Sequence, residues 1–528
     1  MRNHDRREFL KFMGRSGLSL SLLPFINACQ SLGLSSSPPI TAIEPSAKDD
    51  LVLSPGLNWQ KLISWGDSLN SSELFGFNND YIAFVPINDD EAILWVNHEF
   101  PHPLFISNYS RGSKRTKQQV VLEQKALGGS ILKIVKTKNG WQYLPNDPVN
   151  RRIDGTTKIP FANNETIAGS KFAIGTFGNC AGGYTPWGTI LTCEENYHDY
   201  YGEVIKTKQG FKRVHAYDEF AWDKFFNYSP EHYGWVVEVN PITGYTKKHT
   251  SLGRYAHECA TVTEARDGRI VVYSGDDKND ECIYKLISKE QNSIDKGDLY
   301  VADTKNGKWI SLDIEKQPLL KKYFKNQLEV LRHTRFAAHE VGGTALDRPE
   351  DIEIDPQTGD VYVTLTNNKP KGNFHGSILK ISEKDGDAAA LEFQASTFLA
   401  GGELTGFSSP DNMVFDRKGN LWMTNDISDK AMNNPPYTKF KNNGLYYIPL
   451  RGAHAGKVFQ VGSAPSDAEL TGPCFSDDGR TLFLSVQHPG ATTKDLKKPT
   501  SHWPDGGNST PKPSVVTISG PALDKLVL

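Results

Sequence analysis

From residue 50 onward the apolar residues fall in short runs, each soon broken by Gly, Asp or Asn, and helical spacing is scarce. One unit recurs: an acid, a glycine shortly after it, then a run rich in β-forming residues. It is seen in RDGRIVVYSGDD (266–277), DPQTGDVYVTLTNN (355–368), DRKGNLWMTND (416–426) and DDGRTLFLSVQH (477–488). Asp and Gly at these offsets favour the tight turn of a β-hairpin. The turns that begin at Asp355, Asp416 and Asp477 recur about every 60 residues, a period that suits four-stranded propeller blades carrying loop insertions. The earlier spacing is longer, and dividing roughly 480 residues by about 60–80 gives about six blades. The pattern therefore predicts an all-β chain, a six-bladed β-propeller with loop and short helical insertions; a pair of β-sandwiches is the alternative. The stretch 315–340 is the one clear helical insertion.

The N-terminus reads differently. DRREFLK at 5–11 resembles a twin-arginine export signal, and the apolar run Ser16 to Ile26 that follows is too short to span a bilayer. Ile26-Asn27-Ala28-Cys29 resembles a lipobox, which makes Cys29 a candidate for lipidation. The Ser- and Pro-rich stretch 30–50 reads as a tether. The expected division is thus a signal over 1–29, a tether over 30–50 and one catalytic propeller over 51–528. This places the protein in the periplasm or at the cell surface, exported by the twin-arginine translocase as a monomer, with membrane contact only through a lipid anchor. The route carries folded proteins, often with a cofactor already in place. Of 528 residues 38% are hydrophobic and 23% charged, with a formal net charge of −3 and no basic block, so nothing favours nucleic acid.

Candidate chemistry gathers at equivalent places in the repeats. Arg254-Tyr255-Ala256-His257-Glu258, Arg348-Pro349-Glu350-Asp351 and Pro410-Asp411-Asn412 each precede a hairpin turn. In a propeller the innermost strands start near one mouth of the central channel, so Glu258, Glu350 and Asp411 are expected to converge there. Converging carboxylates repel unless cations hold them, and hard divalent ions such as calcium prefer oxygen cages. The same reasoning extends to Asp276, Asp277 and Glu99, with His98 and His257 as supports for the adjacent glutamates. Six cysteines occur, and five remain beyond Cys29, so at least one thiol is unpaired within the chain. The segment GNCAGGYTPWGTILTCEEN (178–196) leaves two designs open: a Cys180–Cys193 disulfide, or Cys180, Glu194 and Glu195 as ligands of one site. A thiolate among carboxylates adds a transition metal to the hard ions.

The motifs NCAGGYTPWGTILTCEENY, GRYAHECATV, VVYSGDD, DRPEDI, VYVTLTNN, SSPDNMVFD and TGPCFSDDGRTLFLSVQHPG occur in this order. Together they resemble the PhoX family of alkaline phosphatases over about residues 90–507. The resemblance implies a six-bladed propeller, an oxo-bridged cluster of Fe3+ and Ca2+, hydrolysis of phosphomonoesters and twin-arginine export. It implies Cys180 as an iron ligand, Glu258, Glu350 and Asp411 as further ligands with Glu194 and Glu195 nearby, and Arg348 and Asn179 as phosphate-binding groups. Asp276 and Asp277 match a family segment. The chain departs from the family pattern at Asp351, at Asn412-Met413 and at Asn425.

Two other readings fit the same residues. A calcium-dependent propeller lactonase or phosphotriesterase would gather similar carboxylates without needing Cys180. A non-catalytic surface propeller would bind metal for stability alone. No Ser-nucleophile elbow of the GxSxG type is seen.

Overall fold

Each predicted Asp–Gly turn closes a hairpin in the computed structural model, which describes residues 38–527. The Asp416 carboxylate accepts from the Lys418 and Asn420 N–H groups, and Gly419 takes the left-handed conformation (φ 71°) that closes the turn. Six antiparallel sheets of four or five strands follow one another along the chain. Their innermost strands begin at Asn79, Asn179, Thr261, Pro349, Pro410 and Glu469. Neighbouring inner strands touch in chain order, and the last returns to the first, which closes the ring of a six-bladed propeller.

Closure is done by the N-terminal end of the described chain. Strand Asn58–Ser64 pairs with Ser514–Ser519 and supplies the outer strand of blade 6. Val52–Leu53 adds a fifth strand to blade 5. The tether expectation fails over 38–50. Ile40 is buried, the Ile43 N–H donates to Gln460 O, and the Asp49 carboxylate accepts from Ser501 Oγ and the His502 N–H. One buried Ile and specific backbone contacts override the polar composition there. The signal, the lipobox at Cys29 and residues 30–37 lie outside the described residues.

Apolar residues alternate inward between blades. Trp422, Leu445, Leu470, Leu482 and Val516 pack blades 5 and 6 together. The helical insertion forms as Gln327–Arg332 and Thr334–Val341, and its Val330, Ala337 and Ala338 join the core of blade 3. Blade 2 carries a longer insertion between its second and third strands, fixed by Phe177, Tyr200, Tyr201, Trp222 and Tyr233. Blade 5 carries another, built around Ile427, Met432, Tyr437 and Phe440. These two insertions wall the mouth described below.

The closure strand makes a test. A chain starting at residue 51 is expected to melt cooperatively, because it keeps Asn58–Ser64. A chain starting at residue 65 leaves the edge of Ser514–Ser519 unpaired and is expected to lose the cooperative transition in thermal circular dichroism.

Candidate metal centre

The propeller delivers side chains to one mouth by strand register. An inner strand starts at the mouth, runs to its hairpin turn at the far face, and the second strand returns. Pairing ends with Asn79 opposite His98, Asn179 opposite Glu194, His257 opposite Asp276, and Pro410 opposite Asn425. The next residue on each of those strands belongs to the site: Asp80 and Glu99, Cys180 and Glu195, Glu258 and Asp277, Asp411 and Asp426. Glu350 follows Pro349 in blade 4, and blade 6 contributes Glu469.

Two backbone devices aim these groups. Two residues before the site residue, five blades place a left-handed residue: Asn78, Gly178, Arg348, Ser409 and Asp467. Immediately after it, register shifts mark a bulge following Asn79, Asn179, Pro349 and Pro410. A bulge bends the strand and re-aims a side chain. Gly178 is required, since a Cβ there would lie 3.1 Å from the Asn196 and Tyr197 nitrogens as well as facing a positive φ.

The resulting cavity measures about 440 Å3. Its inner wall holds Glu99, Glu195, Glu258, Asp277, Glu350, Asp411, Asp426 and Glu469, with Cys180 and Arg348. Donor atoms fall into three overlapping triads whose members lie within 4.8 Å of one another: Asp80, Glu99 and Cys180; Cys180, Glu195 and Glu258; Glu258, Asp277 and Glu350. Cys180 Sγ lies 3.1 Å from Glu258 Oε1 and 3.5 Å from Asp80 Oδ2. Shared members make one continuous strip of ligand atoms rather than separate sites.

Burial and mutual repulsion push these groups away from ionisation. Glu258 and Glu195 are held well above the usual carboxylate range, first by burial and then by neighbouring carboxylates. Burial, with Asp80 beside it, moves Glu99 up to about 8, and burial moves Asp80 up to about 7. The Cys180 thiol is likewise raised by burial and by Asp80 and Glu258. Asp277 behaves oppositely. Burial opposes its ionisation, but the Arg348 guanidinium outweighs burial and holds it below its ordinary value. Arg348 Nε and Nη2 each donate to Asp277 at 2.7 Å, and Nη2 lies 2.7 Å from Glu350. Arg348 holds φ at 56°, an uncommon conformation for a non-glycine residue.

Several sequence expectations change. No disulfide joins Cys180 and Cys193; all five described cysteines are free. Glu194 does not face the mouth. Adjacent strand residues point to opposite sides, and Glu194 lies 2.5 Å from the buried Lys248 Nζ while accepting from the Gly234 and Trp235 N–H groups. Asp276 turns away in the same manner and accepts from Arg335 Nε at 2.7 Å. Asn179 is buried between Thr176 and Thr192 and cannot reach a ligand in the cavity. His98 and His257 are structural supports: His98 meets Phe77 O and Ser130 Oγ, and His257 meets Ser274 Oγ and Gly253 O. The departures at Asp351 and Asn412 lie on the channel side of the ring. Asp351 accepts from the Met413 and Ile352 N–H groups, and Asn412 Oδ1 from Gly472 N–H, so both stabilise bulges between blades. Asn425 accepts from the Gly444 N–H within blade 5.

The sequence reading missed Asp80, Glu469 and Asp426. Asp80 could have been found by counting from VNHE (96–99) across the hairpin at Asp89-Asp90 to the paired strand, and Asp426 from its place after the second strand of blade 5. Glu469 had no comparable signal, because blade 6 ends its pairing one residue earlier relative to the ligand.

The residues present suit cations. Among the described residues only Arg348 and the buried His488, 3.4 Å from Glu469, set a base against the eight carboxylates of the inner wall at ion-pair distance, and Glu195 Oε1 is buried without a hydrogen-bond partner. Glu195→Gln and Glu258→Gln are expected to lower bound metal measured by elemental analysis, whereas Glu194→Gln, which alters only the Lys248 pair, is expected to retain it.

A family model for alkaline phosphatase PhoX matches residues 39–490. Among solved structures, Pseudomonas fluorescens PhoX in complex with vanadate, a transition state analogue, is 28% identical, with 92% of this chain and 98% of that chain covered at a TM-score of 0.81. A protein of unknown function from Dyadobacter fermentans is 8% identical, covering 88% of this chain and 100% of that chain at a TM-score of 0.40. The periplasmic gluconolactonase PpgL of Pseudomonas aeruginosa is 11% identical, covering 68% and 71% at a TM-score of 0.31. No curated protein matches this chain. With six closed blades and the family match over most of its length, the chain belongs to the alkaline phosphatase PhoX family.

Proposed function

We propose that this alkaline phosphatase hydrolyses phosphomonoesters at the acidic mouth, with Fe3+ and Ca2+ held by Cys180, Glu195, Glu258, Asp277, Glu350, Asp411 and, from blades 1 and 6, Asp80, Glu99 and Glu469. The observation that carries the reading is the continuous strip of carboxylates around one thiol, bordered by one guanidinium. A thiolate suits a transition metal, and the carboxylates on either side suit calcium. When bound, such cations neutralise the phosphate dianion and lower the barrier to attack on phosphorus.

The chain's own groups supply position and exclusion of water. Arg348 is oriented by the two oxygens of Asp277, which leaves its Nη1 edge toward the cavity side where Asp426 lies 4.0 Å away. Its planar fork can hold two phosphate oxygens, which a lysine ammonium cannot reproduce. That the Pseudomonas fluorescens relative binds vanadate, a transition state analogue, supports phosphoryl chemistry for this chain. Toward the rim, Phe100, Phe220 and Pro103 offer apolar walls and Lys430 one positive charge, room for a small organic leaving group beside the phosphate. The carboxylates serve as ligands, and none is assigned as a general acid.

Export by the twin-arginine route, to the periplasm or cell surface, and lipidation of Cys29 complete the proposal. They rest on residues 5–29.

The test is kinetic. Arg348→Lys is expected to lower kcat/KM for p-nitrophenyl phosphate by about 100-fold or more, in the range seen for lost transition-state donors. Cys180→Ser is expected to lose iron and activity together. Full activity in Cys180→Ser would instead favour the calcium-only hydrolase reading.

A further inference from the structure

Outside the mouth, one other group of metal-binding side chains comes together among the described residues. Glu281 ends the short strand Asn279–Glu281, Cys282 follows it at the entry to Ile283–Glu290, and His339 projects from the helix Thr334–Val341. Their donor atoms lie within 4.8 Å of one another, and His339 Nε2 is 2.9 Å from Glu281 Oε2. We infer that Glu281, Cys282 and His339 form a second metal site, separate from the phosphate-binding mouth, that takes a divalent ion of the zinc class.

The donor set separates this site from the first. One thiolate, one imidazole and one carboxylate are the mixed ligands of zinc, unlike the oxygen-rich strip at the mouth. Zinc bonds of about 2.0–2.3 Å place tetrahedral donors between about 3 and 4 Å apart, so the three groups converge with small side-chain rotations. Cys282 is fully buried and fixes the floor, while the His339 side chain is 41% exposed and held by Glu281. A pocket of about 250 Å3 is lined by Glu281, Arg335 and His339, so two of the three donors border open space with room for water, and Cys282 lies beneath them.

Charge also fits. Arg335 pairs with Asp276 and lies 3.9 Å from Glu281, so one positive charge already stands beside the site. Asp276, Glu281 and a Cys282 thiolate carry three negative charges. Arg335 and a divalent ion carry three positive ones, and the group is neutral when loaded. The ion would tie the helical insertion to blade 3 behind Asp277, on a different layer from the hydrolytic ligands. This inference does not depend on the phosphatase reading.

The experiment is a cadmium titration of the purified holoenzyme, following the thiolate-to-cadmium absorption in the ultraviolet. The wild type is expected to saturate at one equivalent, with a rise in melting temperature. Cys282→Ser and His339→Ala are both expected to lose that equivalent and the thermal shift, while keeping phosphomonoester hydrolysis before cadmium is added. His339 is partly exposed, so its variant folds even if the buried Cys282→Ser does not. A band of equal size and saturation in His339→Ala, or no saturable band in the wild type, would overturn the inference, and so would a band that survives both substitutions and arises from Cys180.

Discussion

Carboxylates from all six blades and a thiol share one mouth of this propeller, and their mutual repulsion is relieved by protons or by positive charge. Two like charges 4.8 Å apart repel by about 3–4 kcal/mol at an effective dielectric constant of about 20. The chain answers that problem internally for the acids one layer back. Glu194 has Lys248, Asp276 has Arg335, and Glu203 has Arg254. At the mouth it supplies Arg348 to Asp277 and Glu350 and His488 to Glu469, and no ion pair is seen for Glu195 or Glu258 among the described residues. The acids one layer back are each matched by one base, whereas the mouth gathers donor groups that could hold metal ions.

The fold makes this arrangement rigid. The site residues sit at strand ends or in bulges, and in five blades the first-strand residue follows a left-handed residue by two positions. Six repeats supply six such corners from different parts of the sequence, so the closed ring fixes the distances between them. Closing the ring through Asn58–Ser64 therefore protects the site as well as the edges of blade 6. The insertions of blades 2 and 5, held by their own aromatic clusters, then wall the mouth with Glu219, Phe220, Asp429 and Lys430.

Much of this was legible in the sequence. The Asp–Gly turns revealed the blades, because a turn needs particular residues whatever surrounds it. Glu258, Glu350 and Asp411 were legible because each precedes a visible hairpin. The face of a side chain was harder to read. Glu194 and Glu195 are adjacent and chemically alike, yet one meets Lys248 from 54 positions away and the other meets the cavity. Asp276 and Asp277 divide in the same manner between Arg335 and Arg348. Such pairings depend on residues far apart in the chain, and no local pattern announces them. The packed stretch 38–50 was misread for the same reason, since Gln460 and Ser501 decide its order.

The central claim is that cations complete the acidic mouth and that phosphoester hydrolysis depends on them. Its most direct test is elemental analysis of the natively produced protein alongside p-nitrophenyl phosphate hydrolysis, before and after chelation and after return of calcium and iron. The account predicts bound iron and calcium, turnover that falls with their removal, and recovery when both are restored. Undiminished turnover in a folded protein stripped of both metals would contradict it.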